Sequence, residues 1–135
     1  KRGRMDFESF RGVPKYSANA AYAQSKLANV LFALALARRL EGTGVTSNVL
    51  HPGGVATDIT RDLPWLVRKL IGFVFISPEM GAKTTLMLAT DPARAGVSGA
   101  YFDQCKRADV AALANDTALQ DRLWQVSADL VGVAC

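Results

Sequence analysis

Residues 18–57 read ANAAYAQSKLANVLFALALARRLEGTGVTSNVLHPGGVAT, and the fold follows from how this stretch changes character along its length. From Ala18 to Leu40 it is dominated by Ala, Leu, Val, Phe, Ser, Asn and Gln, and it closes on Arg38 and Arg39, then Glu41, Gly42, Thr43 and Gly44. High helix propensity, cations at the negative end of the helix dipole and glycines free to take a left-handed cap predict one long helix. Apolar residues run most of the way round it, so it is expected to be buried against more than one neighbour. Val45 to Leu50 then form a β-prone run that His51, Pro52, Gly53 and Gly54 bring to a stop. Proline cannot donate to a ladder and glycine admits backbone angles that other residues avoid, so a strand followed by a turn is predicted.

Working outward, the first seventeen residues mix Gly, Pro and charges with Met5, Phe7 and Phe10, which predicts a loop with a few anchoring side chains and no regular element. Residues 58–77 combine Trp65, Leu66, Val67, Leu70, Ile71, Phe73 and Val74 with Arg61, Arg68 and Lys69, the pattern of one or two short amphipathic helices. Ser77, Pro78 and Glu79 form a helix start, with a hydroxyl cap, proline in the first turn and a carboxylate near the positive end. That helix is predicted to run to Thr90 and to end at Asp91 and Pro92. Gly99 to Phe102 suggest a second strand, and Asp116 to Val131 a last helix burying Leu119, Leu123, Trp124, Val126 and Leu130.

Alternating helices and strands predict an α/β fold with a parallel sheet. Two strands are too few, because a parallel sheet needs both faces and both edges covered. Further strands are expected from sequence outside this chain, or the chain is unstable alone.

Composition narrows the function. With 135 residues, 50% hydrophobic and 21% charged, the chain is expected to be one soluble globular domain or a piece of one. The net charge of +4 comes from bases that are scattered, apart from Lys1, Arg2 and Arg4 and the pair Arg68 and Lys69, so nucleic acid is not an expected partner. Cys105 and Cys135 stand at unrelated spacings with no histidine nearby, which predicts no metal site and a reducing compartment, the cytoplasm. The apolar stretch Leu70 to Ser77 is too short to span a bilayer, where about 20 apolar residues are needed. The start at Lys1-Arg2-Gly3-Arg4, without an initiator Met or a signal pattern, reads as that of a cut or incomplete chain.

Tyr22 and Lys26 carry the chemistry. An i, i+4 spacing puts phenol and ammonium on one helix face, where they can share a ligand. The spacing alone is common, and its downstream context makes it specific. The next strand ends in Pro52-Gly53-Gly54-Val55-Ala56-Thr57, at the carboxyl end of a parallel strand, where α/β sheets bind their ligands.

Tyr-x-x-x-Lys followed by one helix, one strand and Pro-Gly-x-x-x-Thr resembles the short-chain dehydrogenases/reductases, more narrowly their retinol dehydrogenase-like branch. The resemblance rests on Ala21 to Phe32, Leu36 to Leu40, His51-Pro52-Gly53, Arg122-Leu123-Trp124 and Ser127, and it covers nearly the whole chain. It implies the C-terminal half of a Rossmann-type doubly wound parallel sheet, about two strands with flanking helices. Residues 1–135 would then be a partial domain lacking the dinucleotide-binding half, with 61–77 as a substrate lid.

The implied activity is the NAD(P)-dependent interconversion of an apolar alcohol with its aldehyde or ketone. Tyr22 would be the general acid and base. Lys26 would favour the ionised phenol and bind the nicotinamide ribose. Pro52, Gly53, Gly54 and Val55 would pass beside the nicotinamide, and the Thr57 hydroxyl would reach its carboxamide or the pyrophosphate. The branch implies NADP, with NAD the alternative, and leaves a homo-oligomer open.

The family's Gly-x-x-x-Gly-x-Gly turn is absent from the 135 residues. Ser9 stands thirteen residues before Tyr22, where many members carry a substrate-orienting serine, but no β-prone run precedes it, so that serine is expected upstream of Lys1. His51, the only histidine, has no acidic or cysteine partner at motif spacing and is read as structural. Two other readings compete: a non-catalytic fragment or interaction module, and a membrane-surface segment at Trp65 to Ile76, with the lid favoured over the latter.

Overall fold

Ser17 opens the longest element. Its hydroxyl accepts a hydrogen bond from the Ala20 amide, and helix α1 runs Ala18–Arg39 in the computed structural model, which describes residues 4–12, 15–53 and 77–133. Arg38 and Arg39 fall in its last turn, and Gly42 beyond it takes a φ of 78° that other residues avoid.

By length and mean hydropathy (1.2), α1 could cross a bilayer. Its longest unbroken apolar run, Val30 to Ala37, is eight residues, well short of the about 20 that a span needs. Its packing is that of a core helix, because two of its sides are engaged. On one side Leu27 and Leu31 form a cluster with Ala114 and Leu123. On the other, the Ala33 carbonyl accepts a hydrogen bond from Ser47 Oγ at 3.0 Å, and Ala37 lies in van der Waals reach of Gly99. The expectation of burial against more than one neighbour holds from Leu27 onward, although Asn29 and Phe32 stay exposed; Ala18 to Lys26 are exposed except for half-buried Gln24.

Strand β1 (Val49–His51) is shorter than the β-prone run. Ser47 and Asn48 are weak strand formers, and their polar groups bond across the gap instead of extending the ladder. The Ser47 amide donates to Ser98 Oγ, and Asn48 spans the gap by donating to the Val97 carbonyl and accepting from the Ala100 amide. β1 pairs in parallel with β2 (Tyr101–Asp103), with Val49 opposite Tyr101, Leu50 opposite Phe102 and His51 opposite Asp103.

A third strand, β3 (Lys106–Ala108), pairs antiparallel with β2 and makes the sheet mixed. It corrects the expectation of two strands. The hairpin turns on Gln104 and Cys105, both at positive φ (47° and 64°), where the usual sequence signal would be Asn-Gly. Contact with the next helix holds it: the Cys105 amide donates to Thr84 Oγ1 at 3.1 Å.

Helix α2 (Pro78–Thr90) begins as its sequence predicts, Ser77 accepting from the Met80 amide and proline in the first turn, and Asp91 ends it. Helix α3 (Thr117–Val131) is capped by Asp116 and closed by Gly132 in the left-handed conformation. Leu123 is buried as expected and Leu130 is not, at 40% exposure. Gln120 is buried in its place, donating to the Ala114 carbonyl and accepting from Arg38. The loop expected at the N-terminus holds a 3-10 turn, Phe7–Arg11. Its anchors behave as predicted, with Met5, Phe7 and Phe10 packed on the Leu27–Leu31 cluster. A parallel strand pair with α1 against it makes this a partial Rossmann-like α/β arrangement.

Candidate active site

At 100° per residue, Tyr22, Lys26, Ala33 and Ala37 fall within about 60° of one another around α1. Ala33 and Ala37 meet the segments that lead into β1 and β2, so Tyr22 and Lys26 lie on the sheet-facing stripe. They stand two to three turns nearer the helix N-terminus.

The return of the chain fixes how far along the helix the strand end lies. Ser47 is tied to Ala33, and from there the chain runs back along α1 to His51. Four extended residues climb about 13 Å, which α1 covers in about nine residues. A strand running straight back along α1 would bring the turn at Pro52 and Gly53 to about the level of Tyr22 to Lys26. Gly53 there has a φ of 81°, open to glycine at no cost, and no side chain to fill the space beside the strand end.

Lys26 Nζ lies 5.4 Å from the centroid of the Tyr22 ring, and both side chains are exposed, the tyrosine by 66%. An exposed phenol and an ammonium on one helix face make a set of hydrogen-bond donors suited to a carbonyl oxygen and to sugar hydroxyls. The other described tyrosines lie elsewhere in the fold. Tyr101 sits in the sheet, where burial and then the Asp103 carboxylate push its phenol up. Tyr16 lies outside the stripe at 73% exposure.

Of the remaining residues expected at the site, Pro52 and Gly53 directly follow β1. Gly54, Val55, Thr57 and the stretch expected to be a lid, 61–77, lie outside the described residues except for Ser77, the cap of α2. His51 ends β1 with its side chain exposed. Ser9 is on the other side of α1 from Tyr22: its hydroxyl donates to the Asp6 carbonyl and accepts from Gln24. A hollow of about 950 Å³ beside it is lined by Ser9, Phe10, Tyr16, Ala20, Gln24 and Leu130, and neither Tyr22 nor Lys26 contributes to it.

Two polar residues escaped sequence reasoning. Asp103 closes β2 beside His51 and has a buried Oδ1 without a hydrogen-bond partner among the described residues; the available signal was an acidic residue ending an apolar strand. Gln24 lies inside the Tyr-x-x-x-Lys motif but on the opposite side of the helix, and nothing in the motif marks it. Among the described residues no group of three His, Cys, Asp or Glu side chains could hold a metal ion.

The family model described as short chain dehydrogenase matches residues 6–65, which include Tyr22, Lys26 and the turn after β1. The chain is 43% identical over 139 residues to retinol dehydrogenase 14 of Mus musculus, covering 98% of this chain and 42% of that protein. Retinol dehydrogenase 12 of Mus musculus is 41% identical over 133 residues, with 97% of this chain and 42% of the relative covered. Retinol dehydrogenase 13 of Homo sapiens is 40% identical over 147 residues with the same coverage, 97% and 42%. The chain thus spans about two fifths of the length of the curated relatives it matches.

Proposed function

Since the chain belongs to the short-chain dehydrogenase family, we propose that it supplies the proton-transfer residues of an enzyme that interconverts an apolar alcohol with its aldehyde or ketone. The observation that carries this reading is Tyr22 and Lys26 on one exposed face of α1, the ammonium 5.4 Å from the centroid of the phenol ring. The apolar substrate class is drawn from the retinol dehydrogenases to which the chain is similar.

A nicotinamide dinucleotide, when bound, gives or takes the hydride. Tyr22 donates its phenolic proton to the substrate oxygen as charge builds there, and in the other direction takes the proton from the alcohol. The Lys26 ammonium stabilises the negative charge left on the phenol oxygen and donates to the ribose hydroxyls of the dinucleotide. Pro52, Gly53, Gly54 and Val55 would let the backbone come close to the nicotinamide, and the Thr57 hydroxyl would bond its carboxamide or the pyrophosphate. NADP is the form we assign, on the resemblance to the retinol dehydrogenase-like branch.

The test is oxidation of NADPH by the complete protein with an apolar aldehyde or ketone, run beside NADH. The reading expects carbonyl-dependent turnover with higher efficiency for NADPH. No carbonyl-dependent oxidation of either nucleotide would overturn it, and a preference for NADH would overturn the assignment of NADP alone.

A further inference from the structure

Gln24 stands between Tyr22 and Lys26 in sequence, yet its side chain points away from them and grips the N-terminal segment. Its Oε1 accepts from the Asp6 amide at 2.9 Å, and its Nε2 donates to Ser9 Oγ at 2.8 Å and to the Asp6 carbonyl at 3.4 Å. The side-chain amide therefore pairs with both backbone groups of Asp6, much as a neighbouring strand would. Ser9 closes the ring by donating its hydroxyl to the Asp6 carbonyl at 2.6 Å.

The gripped segment is fixed to the core. Met5, Phe7 and Phe10 pack on Leu27, Leu31, Ala114 and Leu123, and the Arg122 guanidinium lies 4.5 Å over the Phe7 ring. Between Ala18 and Lys26, Gln24 is the one residue of α1 that is not exposed, and the first buried residue after it is Leu27. The opening turns of a helix without packing fray, because each backbone hydrogen bond there orders residues that bury nothing. Tyr22 and Lys26 lie in those turns.

We propose that Gln24 is a positioning residue: held by Asp6 and Ser9, its amide fixes the first turns of α1 and through them the placement of Tyr22 and Lys26. The proposal rests on Tyr22 being the proton donor. It also gives Ser9 a task that differs from orienting a substrate.

In the complete protein, Gln24→Met removes the amide while keeping the length of the side chain. The expected result is a fall in kcat of about tenfold or more with the carbonyl KM within about twofold, since misplacing a catalytic group costs rate rather than substrate contact. Hydrogen exchange of residues 21–26 should accelerate while that of residues 31–36 stays unchanged. Gln24→Glu keeps an acceptor for the Asp6 amide and for the Ser9 hydroxyl, and should recover part of kcat. Ser9→Ala should lower kcat less than Gln24→Met and add nothing to it in the double variant, because both remove one network.

Unchanged kcat in Gln24→Met, equal acceleration of exchange at residues 31–36, or additive effects in the double variant would overturn the proposal. Tyr22→Phe run alongside separates the two readings. If it stays active, the donor reading has failed and the Gln24 proposal with it, whereas an inactive Tyr22→Phe beside a fully active Gln24→Met overturns the Gln24 proposal alone.

Discussion

Lys26 follows Tyr22 by one helical turn and is given two tasks, to stabilise charge on the phenol oxygen and to hold the sugar of the cofactor. Lys26→Ala should therefore lower turnover and weaken cofactor binding together, each by about tenfold or more, whereas a residue serving charge alone would change only the first. Kinetics combined with a titration of cofactor binding would check this, and binding unchanged in the variant would remove the ribose contact. His51 provides the contrast at the same strand end. It is exposed and carries no chemistry in this reading, so His51→Ala should keep turnover within about threefold in a pH profile of parent-like shape. Loss of an acidic or basic limb from that profile would make His51 a participant. The motif residues were legible in the sequence because spacing and chemistry coincide in them. Gln24 and Asp103 were not, since their surroundings come from what the fold sets beside them.

At the scale of elements, α1 joins the sheet to α3, and each side of it makes its own prediction. Leu31 is fully buried between α1 and α3, and Leu31→Ala should cost about 2–5 kcal/mol in denaturant unfolding of the complete protein. A loss below about 1 kcal/mol would mean that the cluster does not hold the helices together. Farther along the same joint, Asp121 accepts from Arg38 at 2.6 Å and from Arg39 at 3.2 Å. Desolvation opposes ionisation there, but the hydrogen bonds and charges of the two arginines outweigh it and hold the carboxyl below its ordinary value. A carboxyl lowered on folding stabilises the folded state above its unfolded value of about 3.9, and that contribution is lost as pH falls through the lower folded value. The difference in unfolding midpoint between parent and Asp121→Asn should accordingly be constant at neutral pH and shrink below about pH 4. A difference that grows on acidification would contradict the ion pair.

The start of α2 was readable to the residue, because the Ser77 hydroxyl and one proline decide where it begins, whereas α1 was readable from its composition and its cap at Ser17 was not. The hairpin to β3 was not, because Gln104 and Cys105 hold positive φ through contact with Thr84 rather than by their own preference. Burial of Gln120 in α3 was hidden for the same reason, since its partners Ala114 and Arg38 come from outside the helix.

For the molecule as a whole, the described residues form a small core. Among the described residues only Phe102 and Leu31 are large side chains buried completely, and β1 pairs with one neighbour, β2. The edge of a parallel pair left open is prone to association. The 135-residue polypeptide alone is therefore expected to be loosely packed or aggregated and unable to transfer hydride, since the glycine-rich turn that would hold the pyrophosphate is not among its residues. Size-exclusion chromatography and an NADPH assay would check this; a monomeric, cooperatively unfolding and active polypeptide would contradict it. The decisive comparison is made in the complete protein, where Tyr22→Phe removes one hydroxyl and little else. Turnover should fall by at least about a hundredfold while cofactor affinity stays within about twofold. Turnover close to that of the parent would mean that Tyr22 is not the proton donor.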